Sequence, residues 1–292
     1  MSPLLRRILG YGLATPIAAG LIYVGFFREV PDDPQHALLQ AEIKLRFASR
    51  MPPQRGDGSR VAEREELIAD AVRYIDEAER LAAPTAMTVE YRAFVDYLQG
   101  DARAAAAGYS RAETLASDAE AKGQLALSAA RMLALAGEDG RALAELDARM
   151  PTLPSHLASG ANVERMRILA RQGRGEDAAR AAQAVLDDVT AAGEDLVGVG
   201  EWFESRGDDD MAATAYERAM PSYPLANYFV ARLKARGGDV DNAVKMLECA
   251  LSGAGKAVRS LLNRDRDAWQ ACAGDQRFQS LFPEMEAARP GR

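Results

Sequence analysis

The chain has 292 residues, 48% of them hydrophobic and 27% charged, with a net charge of −7, a length that suits one large domain or two small ones. The acidic balance excludes a general nucleic-acid binder, which carries a basic face, and two cysteines with two histidines leave little for a metal site. Aromatics are only 7% and the apolar share leans on alanine, so the composition predicts an all-α fold.

In chain order, residues 1–7 carry Arg6 and Arg7. Residues 8–27, ILGYGLATPIAAGLIYVGFF, follow without a charge. As a helix that stretch spans roughly 30 Å, the hydrocarbon thickness of a bilayer. It carries Pro16 and several glycines, which membrane helices tolerate. Arg28, Glu29, Asp32 and Asp33 come next, so the positive-inside bias places residues 1–7 in the cytoplasm and the rest of the chain outside it. The expectation is a single-pass signal-anchor in the cytoplasmic membrane. The alternative is a cleaved signal peptide, with Ala18-Ala19-Gly20 as the small-residue site, leaving a soluble periplasmic protein. Neither cysteine follows the apolar segment closely enough to receive lipid.

Residues 28–34 form a linker in which Asp33 or Pro34 is placed to open a helix at Gln35. Residues 35–84 predict a helical hairpin, with Ala71, Ile75 and Ala78 at its contact, a Pro/Gly-rich loop at 51–60, a second helix from Val61 to about Ala83, and Pro84 to close it. The tripeptide Arg55-Gly56-Asp57 in that loop matches an adhesion ligand, but a chain rich in these residues makes it by chance.

Beyond Pro84 a period appears. Gly100-Asp101, Gly137-Glu138, Gly173-Arg174, Gly207-Asp208 and Gly238-Asp239 are each followed, five residues after the glycine, by an alanine: Ala105, Ala142, Ala178, Ala212 and Ala243. The steps between those alanines are 37, 36, 34 and 31 residues, the range of helical-hairpin solenoids. The sharpest unit has Leu196, Gly200, Phe203, Gly207, Ala212, Tyr216, Ala219 and Pro224. There Gly200 and Ala212 let two antiparallel helices approach and Tyr216 fills the gap one turn on.

That unit resembles the tetratricopeptide repeat (TPR), W-x2-LG-x2-Y followed by A-x3-F-x2-A and P. The resemblance covers about five repeats over 86–255 and extends loosely to 35–84. It implies a right-handed α-solenoid, with residues 256–292 as capping helices: a helix at 256–263 and a run of Asp275 to Leu281 similar to a tail often seen after TPR arrays, whose Phe278, Leu281 and Phe282 would cover the open end. Family members generally bind peptide or protein segments in a groove lined by the first helix of each hairpin. By register, position nine gives Phe94, Arg131, Arg167, Glu201 and Arg232, and position five gives Glu90, Leu127, Val163, Val197 and Tyr228. The chaperone-binding pattern needs Lys at five and Asn at nine, and is missing. The resemblance therefore implies a groove in which Arg131, Arg167 and Arg232 meet carboxylates of an extended partner and Tyr91, Phe94, Tyr97 and Tyr228 anchor apolar groups.

No catalytic constellation emerges, and no cofactor, metal, nucleic-acid or small-molecule site is expected. The run Ala250 to Ala257 approaches a phosphate-binding loop but has Ala257 where a hydroxyl must ligate Mg²⁺, and Gly173-Arg174-Gly175 belongs to a repeat turn. An enzyme hidden in degenerate repeats would need a convergent polar site. Cys249 and Cys272 could pair outside the cytoplasm and staple the last repeat to the cap. The expected function is a membrane-anchored, non-enzymatic scaffold or adaptor for envelope assembly or secretion.

Overall fold

The computed structural model describes residues 33–51 and 58–281. The apolar segment 8–27, the tripeptide 55–57 and Phe282 lie outside the described residues; among those described, no helix is long and apolar enough to cross a membrane. The described chain is all-helical and without strands: α1 (Pro34–Arg50), α2 (Gly58–Leu81), α3 (Ala86–Leu98), α4 (Ala102–Leu115), α5 (Ala119–Leu135), α6 (Asp139–Arg149), α7 (Ser155–Arg171), α8 (Gly175–Asp187), α9 (Gly193–Ser205), α10 (Asp209–Ala219), α11 (Ala226–Arg236), α12 (Val240–Arg264) and α13 (Gln276–Leu281), with short 3-10 segments at Met150–Thr152 and Arg266–Cys272. The chain divides into two compact units, up to Glu145 and from Leu146.

Helix starts follow local chemistry. Asp33 caps α1, its carboxylate accepting from the Gln35 N–H at 3.1 Å with Pro34 as first helical residue. Such a cap satisfies backbone donors that no intrahelical carbonyl reaches. Thr85 and Thr88 form a reciprocal capping box at α3, and Asp101, Asp118, Asp208 and Asp239 cap α4, α5, α10 and α12.

Chain reversals follow one rule. Gly100, Gly137, Gly173, Gly207 and Gly238 have φ between +73° and +90°, and no other described residue has positive φ. In each turn the glycine N–H donates to the carbonyl three residues back and the next N–H to the carbonyl five back, at 2.9–3.2 Å. This is the Schellman arrangement, in which the left-handed residue is almost always glycine. The five alanines that follow, Ala105, Ala142, Ala178, Ala212 and Ala243, are all 0% exposed. The period seen in sequence is therefore a recurring helix, glycine turn and buried alanine.

In the first unit α1 packs on α2, α3 on α4 and α4 on α5, while α1 also touches α3. Ala41, Leu45 and Ala48 of α1 meet Ile68, Ala71, Tyr74 and Ile75 of α2 and Val95 and Leu98 of α3. Buried Lys44 reaches Asp70 at 2.9 Å, tying α1 to α2 through a charge-assisted bond. The hairpin expected at 35–84 is present, with α2 beginning at Gly58 rather than Val61.

In the second unit α7 packs on α8, α9 on α10 and α11 on α12. A Cβ on Gly200 of α9 would sit 2.4 Å from the ring of Tyr216 on α10, so that glycine is what lets the tyrosine ring pack against the helix. The span Val240–Arg264 is two helices that meet at a kink at Ala254 (φ −145°, ψ 34°), and the second of them contains the helix expected at 256–263. At the end Trp269 stacks on Phe278 with centroids 5.7 Å apart. Trp269, Cys272, Val258 and Leu262 are buried with it, a cap built around a tryptophan that the sequence pattern did not single out.

Two glycine substitutions separate backbone strain from packing. Gly207→Ala adds a Cβ where nothing lies within 4 Å, so its cost is the left-handed backbone alone, about 1–2 kcal/mol. Gly200→Ala has no backbone penalty but overlaps Tyr216, and overpacking of this kind costs about 1–3 kcal/mol. Urea unfolding followed by circular dichroism should show both losses, and the additional change Tyr216→Leu should relieve strain only in the Gly200 variant.

Candidate functional site

The residues assigned to a groove by register do not share one environment. At position five, Leu127, Val163, Val197 and Tyr228 are buried, so this row belongs to helix packing. Glu90 is half-buried and the exception. At position nine, Phe94 and Arg131 are half-buried and Glu201 and Arg167 exposed. Arg167 pairs with Glu164 one turn earlier at 3.0 Å, and its guanidinium lies where a side chain on Gly198 of α9 would be.

Tyr228 and Arg232, expected as partner-binding groups, are engaged inside the chain. Tyr228 is 0% exposed and its hydroxyl donates to Asp265 Oδ2 at 2.9 Å. The Arg232 guanidinium donates to Glu204 and to Asp265, both at 2.6 Å, and lies 5.2 Å from the ring centre of Phe229. Glu204 also accepts from the Tyr216 hydroxyl at 2.7 Å and from Arg236 at 2.6 Å. One network thus joins α9, α10, α11 and the end of α12. Burial pushes the Tyr216 and Tyr228 hydroxyls upward in pKa, and their carboxylate partners add to the rise. Burial alone would raise the Asp265 carboxyl, but hydrogen bonds from Arg264, Arg232 and Tyr228 outweigh it and hold the group down at about 2. A polar hollow of about 470 Å³ opens beside this network, and its arginines, Arg232, Arg236 and Arg264, are all in ion pairs.

The first unit holds a different cavity, of about 330 Å³, where α1 comes against α3. Glu42, Leu45 and Arg46 come from α1, Met87, Glu90, Tyr91 and Phe94 from α3, and Tyr109 from α4. Three of the seven expected groove residues cluster here. Tyr91 and Phe94 line the cavity, and Tyr97, 40% exposed, stacks on Phe94 at 5.9 Å. The Tyr91 hydroxyl donates to Glu42 at 3.1 Å, and Arg46 pairs with the same carboxylate at 2.5 Å. Burial raises the Glu90 carboxyl above the usual carboxylate range and the Glu42 charge raises it further. Tyr109 is pushed up to about 12, first by burial and then by Glu90. Sequence reasoning missed Glu42, Arg46, Met87 and Tyr109 as cavity residues. Three of these four come from helices outside the register used to find the groove.

Cys249 is exposed and Cys272 buried, and both are free thiols, so the expected bridge is not formed. Cys272 sits in the cap beside Trp269, where burial and then the Asp275 charge push its thiol up. No group of three or more His, Cys, Asp or Glu residues able to hold a metal occurs among the described residues. His36 lies 3.2 Å from Gln40 one turn on, and His156 lies in the first turn of α7.

No protein-family model matches this sequence, and no curated protein matches it.

The network makes an acid-side prediction. A carboxyl held at about 2 in the folded chain against roughly 3.9 unfolded contributes stability that is present above pH 4 and lost as pH falls through 2. Asp265→Asn should therefore be less stable than the parent chain at pH 6, with the difference shrinking between about pH 4 and 2 in urea titrations. Arg232→Met leaves Glu204 and Asp265 without their shared buried cation, and should cost about 3–5 kcal/mol. For the cysteines, a thiol reagent should titrate one group in the native protein and two after unfolding.

Proposed function

We propose that this protein is a membrane-anchored adaptor whose TPR-like right-handed α-solenoid binds an extended segment of a protein partner on the extracytoplasmic side, in envelope assembly or secretion. The repeat reading is supported by the five left-handed glycine turns, each followed by a fully buried alanine. Anchoring and topology rest on the sequence, through the uncharged segment 8–27 and its flanking charges. A tether of this kind raises the effective concentration of a partner held near the bilayer.

The observation that carries the binding role is the cavity between α1 and α3. It is concave and walled by aromatics, with Met87 46% and Tyr97 40% exposed at its edge. Pockets of this size, apolar with a few placed polar groups, are where proteins seat a ligand side chain. The paired arginines of the second unit have no comparable surplus to offer.

Photocrosslinking tests this. A photoreactive residue at Tyr97 or Met87 of the full-length chain in cells should give one or a few discrete protein adducts, whereas the same residue at Val189, 91% exposed in the other unit, should give none of them. Identical adduct patterns at all three positions would overturn the groove reading. Protease added to spheroplasts should degrade the helical region; full protection would overturn the proposed side of the membrane.

A further inference from the structure

The charge left over in the cavity identifies what it can accept. Glu42 is already paired, holding Arg46 at 2.5 Å and the Tyr91 hydroxyl at 3.1 Å. Glu90 lines the same cavity half-buried, and among the described residues it has neither hydrogen bond nor salt bridge. A carboxylate partly removed from water without a cation is a cost that folding leaves standing, because the lost hydration is not replaced. A positive group from outside would remove that cost. The surrounding side chains suit such a group: Tyr91, Phe94 and Tyr109 supply π surface, to which cations are attracted over a ring face. Met87 and the Phe94–Tyr97 stack give an apolar rim.

We propose that this cavity receives a single basic side chain, arginine by preference, carried on an apolar stretch of a protein partner. Arginine fits because its planar, weakly hydrated guanidinium can stack on an aromatic ring while its fork donates to a carboxylate. Glu90 is the acceptor. An acidic segment is disfavoured by Glu42 and Glu90 together, and an uncharged one leaves Glu90 as it is. The polarity is opposite to the one the repeat arginines suggested, since Arg167 and Arg232 are held by Glu164, Glu204 and Asp265.

This inference rests on the groove reading above, and the test separates the two. The probe is an acetylated, fluorescein-labelled peptide with one arginine between two leucines, and its counterpart carries glutamate at the central position. Both are titrated by fluorescence anisotropy against the full-length chain in phospholipid nanodiscs. The arginine peptide should bind roughly tenfold or more tightly than the glutamate peptide, and Glu90→Gln, which keeps the side-chain shape, should weaken the arginine peptide by a similar factor without lowering Tm. Phe94→Ala should weaken both peptides.

Equal binding of the two peptides, an unchanged affinity in Glu90→Gln, or no binding of the arginine peptide up to about 1 mM, the scale of the weakest specific contacts, would each overturn the proposal. If both peptides bind equally and Phe94→Ala weakens both, the charge preference fails while the groove survives. If neither peptide binds and the Tyr97 and Met87 adducts are absent too, both readings fall together.

Discussion

Everything in this fold depends on a short reversal in which one residue must be left-handed and the fifth residue after it must be small. The glycine at φ +73° to +90° ends a helix in a way that L-residues resist, by about 1–2 kcal/mol. It leaves just enough chain for the next helix to start antiparallel. That geometry puts the fifth residue at the contact between the two helices, where a side chain beyond Cβ would force them apart. Alanine at 0% exposure in all five places is the packing consequence of the turn. The high alanine content of the chain is thus partly a matter of spacing as well as of helix propensity.

The same constraint explains what was legible in the sequence and what was not. Glycine and alanine announce themselves because no other residue serves at those points, and Asp101, Asp208 and Asp239 do so because a carboxylate beside an exposed helix start is a cap. Gly200 and Tyr216 could be matched because they face each other across a single hairpin. The site residues needed information from further away. Arg232 lies in a register position that suggested an outward arginine, yet its fate is decided by Asp265, beyond the last repeat and 33 residues on. Tyr228 is buried for the same reason, and Trp269, which it packs against at 5.7 Å, belongs to a cap with no repeat pattern to reveal it.

The α1–α3 cavity shows the converse. Its aromatic side was legible, because Tyr91, Phe94 and Tyr97 lie on one helix. Its acidic side was not, because Glu42 belongs to α1, where the repeat register is loose, and reaches Tyr91 across 49 positions of sequence. The small residues that fix how helices meet carry no charge, so helix geometry survives in the sequence pattern while the electrostatics of the surface are rewritten by whichever helix arrives next to it.

Register therefore specifies neither the surroundings of a side chain nor whether its charge is still available. Arg232 and Glu90 sit on equivalent first helices of their hairpins and come to opposite ends. The arginine has two carboxylates at 2.6 Å, a ring at 5.2 Å and little exposure, so its binding capacity is used inside the chain and appears as stability. The glutamate is drawn partly out of water by the aromatics around it and receives no cation, so its capacity stays open to a partner. In an array built by repetition, the informative surface positions are those where a neighbouring helix has failed to complete the pairing.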